Sequence, residues 1–185
     1  MTPPPTPHRA DVNTARQVVF ISHSTRVSGA EVVLLDLIRH GCAHGWQVTL
    51  ICPRGDLRDA LPAACAWQPI PTIALTGQTG VRRVLAFLVM IVKWSYAATV
   101  FRRGTRHADA VVINSTHALP AWALSGRRRT AVWLVHDVID TTKRRTYARL
   151  ARPMLARSVT LTLAPECGQA LRDLGTVSYT HLTLP

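Results

Sequence analysis

Apolar residues along this chain gather in short blocks separated by polar, glycine- or proline-bearing stretches. QVVFIS (17–22), WQVTLICP (46–53), ADAVVINS (108–115), TAVWLVH (130–136) and VTLTLAPE (159–166) have the length and β-branched content of strands. AWQPIP (66–71) reads as a weak edge strand, because proline forfeits a ladder donor. Between these blocks the period changes. AEVVLLDLIRHGCAH (30–44) places Val33, Leu34, Leu37, Ile38 and Cys42 on one helical stripe, and Gly45 stops it. A short helix is expected from GDLRDALPAA, with Asp56 as its cap and Pro62 limiting its length. Two more helices are expected, over 145–158 with Pro153 inside it and over 166–175. Strands too apolar to have a wet face, alternating with helices, predict a parallel sheet covered on both sides. With right-handed crossovers this is an α/β fold, a Rossmann-like parallel β-sheet of six strands sandwiched by helices.

One block does not fit the alternation. VLAFLVMIVKWSYAATVF (84–101) opens with nine consecutive apolar residues. A membrane-spanning helix needs about 20 apolar residues, and Lys93 at mid-span is costly, so a helix buried against the sheet is the first expectation. The flanking basic runs, RR at 82–83 and RRGTR at 102–106, also suit a helix dipping into an anionic membrane face.

Composition narrows the partners. The 185 residues suffice for one well-cored domain, and 48% hydrophobic content argues against general disorder. The net charge of +12 comes almost wholly from arginine, the only lysines being Lys93 and Lys143. Such a surface suits polyanions, anionic lipid or a phosphorylated substrate. No basic–aromatic interleaving points to nucleic acid, so none is expected as a partner. The basic loops GRRR (126–129) and KRR (143–145) suit a solvated rim, or an anionic lipid or lipid-phosphate acceptor. Cys42, Cys52, Cys65 and Cys167 form no C-x-x-C, and since three lie in or beside apolar segments they read as reduced, buried thiols. Residues 1–16 are polar and proline-rich, a disordered leader without secretory character, which implies a cytoplasmic protein. Residues 177–185, VSYTHLTLP, resemble a translated transposase sequencing adapter. The natural sequence is therefore expected to stop near Thr176, as the front of a longer protein, and Tyr179 and His181 are kept out of any site.

Candidate chemistry follows from where an open parallel sheet binds ligands, beyond the carboxyl ends of its strands. After the first strand, Ser28, Gly29 and Ala30 are small enough for close backbone approach, and Glu31 stands in the first helical turn. The same residues also serve as plain helix capping. Asn114 and Ser115 end the strand at 108–115, and His136 and Asp137 stand at the end of the strand at 130–136. A dinucleotide-dependent oxidoreductase is disfavoured, because the turn is neither G-x-G-x-x-G nor followed by an acidic end to strand two.

These residues carry a resemblance. SGAE, the helix VVLLDLIRHGCAHG and then WQVTLICP resemble the start of the family 4 glycosyltransferases of the GT-B fold, which typically read G-G-A-E, a leucine-rich helix, H-G-H and V-T-V. ADAVVINST, AVWLVHDVID and LARSVTLTLAPECGQAL are similar to the family's later strands, over about residues 17 to 175. Ser28 stands where the first glycine is usual and Ala164 where serine is usual. The resemblance implies a domain at 17–176 forming the acceptor side of a cleft. It implies transfer of a sugar from a nucleotide-sugar donor, with retention and without metal or cofactor, to a glycan or lipid-linked acceptor. His136 is implied as the active-site histidine, Ser28, Gly29, Ala30 and Glu31 as a loop near donor phosphates or acceptor, and Asn114 and Ser115 as shaping the acceptor pocket. The nucleotide-holding domain with its E-x7-E pair is absent from the chain, so inactivity of this part alone is expected. A location on the inner face of the cell membrane would suit such an enzyme. The competing reading is a non-catalytic, basic membrane-surface module resting on 82–106.

Overall fold

The computed structural model describes residues 15–73, 80–127, 130–136, 158–162 and 179–181. Asp137, Cys167, the helix expected over 166–175 and nearly all of that over 145–158 lie outside these residues. In chain order the elements are β1 (Gln17–Ile21), α1 (Gly29–Ala43), β2 (Gln47–Cys52), α2 (Asp56–Asp59) and β3 (Ala66–Pro69). They continue with α3 (Val81–Gly104), β4 (Ala110–Ile113), a 3-10 turn (Thr116–Ala118) and α4 (Leu119–Leu124). β5 (Ala131–Val135), β6 (Ser158–Thr162) and β7 (Tyr179–His181) complete the sheet.

All strand pairs are parallel, in the order β3-β2-β1-β4-β5-β6-β7. The expected parallel α/β sheet is thus present, and the strand order turns back between β1 and β4. Among the described residues it has seven strands, not six. The seventh comes from the stretch expected to lie outside the fold, where a Tyr-Thr segment of good β-propensity pairs with the open edge of β6. β3 is the edge strand that its proline predicted, with Pro69 at its last position.

Because side chains alternate across a strand, the sheet feeds two cores. Val18, Phe20, Val48, Leu50 and Cys52 pack with Leu34, Leu35 and Ile38 of α1. Val19, Ile21, Ile51, Val111, Ile113, Trp133 and Val135 pack on the other face with α3 and α4. Each fully buried aliphatic side chain contributes about 1.5–3 kcal/mol. The buried stripe of α1 is Glu31, Leu34, Leu35, Ile38 and Gly41, a slight rotation from the expected one. Gly41 drives it: a Cβ there would come within 3.0 Å of Trp46 and 3.1 Å of Val48, so the helix packs here with little room for a side chain. Asp56 is the first residue of α2 rather than its cap, which is Gly55. The cysteines match the expectation of buried thiols only in part: Cys52 is buried, whereas Cys42 and Cys65 are half-buried. Cys42, Cys52 and Cys65 are free thiols, and burial pushes Cys52 and Cys65 up to about 11 and also raises Cys42.

The apolar block at 84–101 lies within α3, but not as the wholly buried helix expected. Met90, Trp94, Ala97 and Phe101 form its core stripe. Val81, Val84, Leu85, Phe87, Leu88, Val89, Ile91, Val92 and Tyr96 remain exposed. The helix is apolar on opposite faces, and the fold uses one. By length and composition alone Val84–Gly104 could cross a membrane, yet its inner stripe is part of the domain core.

Candidate functional site

The loop leaving β1 is shaped by serines and by one glycine elsewhere. Ser22 is fully buried, and its N–H donates to the Ile51 carbonyl at 3.0 Å, prolonging the sheet by one residue. Its hydroxyl accepts from the Ser24 N–H at 3.2 Å, and the Ser24 hydroxyl donates to the Arg26 carbonyl at 2.8 Å. Thr25 then rests on the start of α2, where its carbonyl accepts from the Leu57 N–H at 3.2 Å. Gly55 makes this approach possible. It has φ of +154°, and a Cβ there would lie 2.4 Å from the Thr25 oxygen. Held this way, the loop brings Ser28 to the start of α1. The Glu31 carboxylate turns back to accept from the Ser28 N–H at 3.3 Å and from the Ser28 hydroxyl. Glu31 is buried, at the positive end of the helix dipole.

This loop meets two others across the switch point. The Asn114 N–H donates to the Ile21 carbonyl at 2.8 Å, carrying the β1–β4 pairing one step past the strands. The Asn114 side-chain oxygen accepts from His136 Nε2, just past β5. A neutral His136 therefore carries its proton on Nε2 and its lone pair on Nδ1. Among the described residues the buried Asn114 amide nitrogen has no hydrogen-bond partner. Ser115 Oγ accepts from the His117 N–H at 3.1 Å and lies 2.6 Å from His23 Nδ1, while the His23 and His117 rings stack at 4.7 Å. The three loops enclose a cavity of about 290 Å³ lined by His23, Ser24, Ser28, Ala30, Glu31, Asn114, Ser115, Thr116, Leu134 and His136.

Of the residues expected from sequence, Ser28, Ala30, Glu31, Asn114, Ser115 and His136 line this one cavity. Gly29 lies between two of them without lining it. Its φ is not positive, and a Cβ there would meet nothing within 4 Å, so the fold itself does not require a glycine. Asp137 lies outside the described residues. His23, Ser24 and Thr116 were not anticipated. The signal was present in ISHS at the end of β1, where polar residues directly follow the strand. Among the described residues no group of three or more His, Cys, Asp or Glu side chains could hold a metal ion.

The cavity can accept and donate hydrogen bonds around a small polar ligand. It presents an oriented imidazole, a second imidazole, hydroxyls, an unpartnered amide N–H group and the start of a helix. Fold and site together define an α/β domain of Rossmann-like architecture with its cleft at the switch point. The family model described as Glycosyltransferase Family 4 matches residues 27–176, and the chain belongs to that family. No match was found among curated proteins. Among solved structures, the chain is similar to HepE of Anabaena crystallised with UDP-glucose, with a TM-score of 0.64 and 17% identity. That superposition covers 89% of this chain and 43% of HepE, so the chain spans less than half the neighbour's length. HepE with UDP and glucose gives a TM-score of 0.59 at 19% identity over the same shares of the two chains. At such identity the likeness shows the fold.

Proposed function

We propose that this chain is the acceptor-side half of a retaining, GT-B-type glycosyltransferase that moves a sugar from a nucleotide-sugar donor to a glycan or lipid-linked acceptor. One observation carries the reading: loops after β1, β4 and β5 converge on a single polar cavity at the switch point of a family 4 domain. The crystals of HepE with UDP-glucose and with UDP support a nucleotide-sugar as donor.

The residues divide the work by position. His136, steered by Asn114, contacts the transferred sugar or the attacking acceptor hydroxyl. The turn at Ser28, Gly29, Ala30 and Glu31 lies near the donor phosphates or the acceptor, where backbone N–H groups and the helix end offset leaving-group charge. The open space at Gly29 supports close approach there. Asn114 and Ser115 shape the acceptor pocket, and the buried, unpartnered Asn114 amide group offers it a donor. His23 joins them through Ser115. Neither metal nor cofactor has a part in this scheme. The nucleotide is held mainly by a second domain outside this chain, and the chain alone is inactive. Catalysis takes place on the cytoplasmic side of the cell membrane.

The test is His136→Ala in the full-length gene product, with transfer from a nucleotide-sugar measured. Loss of an oriented transition-state contact predicts about a 100-fold fall in turnover. Turnover equal to that of the unmodified protein would remove His136 from the active site.

A further inference from the structure

α3 carries a second apolar stripe that the fold leaves uncovered. Val84, Leu85, Leu88, Val92 and Tyr96 recur at helical spacing on the side opposite Met90, Trp94, Ala97 and Phe101. Two hydrogen bonds fix the height of this stripe on the molecule. Trp94 Nε1 donates to the His117 carbonyl at 3.3 Å, beyond the carboxyl end of β4, and Lys93 Nζ donates to the Thr72 carbonyl at 3.0 Å, beyond that of β3. The helix runs antiparallel to the strands, so Val81–Val92 continues past the rim that bears the cavity. At 1.5 Å per residue it extends for about 18 Å. Arg82 stands exposed at one end of the stripe, and Arg102 and Arg103 are exposed at the other.

We infer that this outer face of α3 docks on a bilayer containing anionic lipid, the apolar stripe entering the headgroup–acyl boundary and the arginines resting on phosphates. Charge selects this occupant over a second copy. Arginine brackets the stripe at both ends, so parallel or antiparallel pairing of two chains sets arginine against arginine, on a protein of net charge +12. An anionic surface satisfies both ends at once. Docking in this way holds the cavity rim beside the headgroups. The inference stands apart from the proposed function, since it needs no catalysis.

The experiment is flotation of the 185-residue chain with vesicles of phosphatidylcholine and phosphatidylglycerol at 3:1, against phosphatidylcholine alone. Leu88 and Val92 are 54% and 68% exposed, so the Leu88→Glu/Val92→Glu chain should keep its circular dichroism and melting temperature. We expect the unmodified chain to float with the anionic vesicles and the double variant to lose at least about ten-fold in partitioning. Arg102→Gln/Arg103→Gln should lose about five-fold per arginine, and binding should weaken as salt rises. If the first variant misfolds, Val81→Glu/Leu85→Glu replaces it, with the same expected loss. Equal partitioning of all variants would overturn the inference. So would an unmodified chain that stays off the vesicles and instead sediments as a dimer that Leu88→Glu/Val92→Glu dissociates.

Discussion

At the rim of β1 and β4, side chains that water would solvate are buried: Asn114 is 4% exposed and Ser115 and Glu31 are each 5%. On α3, side chains that water disfavours stand open, Leu85 at 63% and Val92 at 68%. The cleft is concave, polar and cross-linked by hydrogen bonds from residues far apart in sequence; the helix face is convex and apolar, and its side chains stand exposed. Stability alone asks for neither. A buried amide N–H group without a partner is costly, and so is a long apolar stripe in water. Local rules that fail in opposite directions mark two different surfaces, the cleft that the proposed function uses and the apolar face that the inference above assigns to a bilayer.

Substitutions can break this comparison. The largest stability effect should come from its contrast with the core. Leu34→Ala, on the fully buried stripe of α1, should cost about 2–5 kcal/mol by denaturant unfolding. Leu88→Ala should fall within about 0.5 kcal/mol, because its side chain is outside the core. Similar losses at both positions would mean that α3's outer face is packed after all. Next comes Gly55→Ala. A φ of +154° and a Cβ 2.4 Å from the Thr25 oxygen predict about 1–3 kcal/mol of destabilisation, with the β1–α1 loop displaced. Glu31→Ala removes the acceptor that closes the start of α1 and should cost about 1 kcal/mol in melting experiments. The smallest effect is on pH. Burial raises the Cys52 and Cys65 thiols from the ordinary 9.0 to about 11. Below pH 9 both folded and unfolded chains keep these protons, and the thiols leave stability unchanged. Between about pH 9 and 11 the unfolded chain releases them and the folded chain does not, so stability falls as pH rises. A Cys52→Val/Cys65→Ala chain should lose part of that slope.

Much of this was legible in the residues. Apolar strand blocks broken by Asn114–Ser115 and by His136 placed those side chains at strand ends, and strand ends are where such a sheet binds ligands. His23 was less legible, because its role depends on Ser115, a partner 92 residues away. The phase of α1 shifted because Gly41, not an apolar side chain, packs tightly against Trp46 and Val48. α4 was not anticipated: LPAWAL has a single buried face formed by Leu119, Ala121 and Trp122, too short for a period to emerge. Hydropathy could not tell which side of α3 would be covered, since both sides are apolar; the packing of Trp94 and Phe101 decides that.

The most direct measurement sets the two surfaces side by side. Sugar transfer to a soluble acceptor would be assayed with the full-length protein carrying either His136→Ala or Leu88→Glu. The cleft is expected to lose about 100-fold with the first change and to keep its rate with the second. A His136→Ala protein as active as the Leu88→Glu protein would contradict the account.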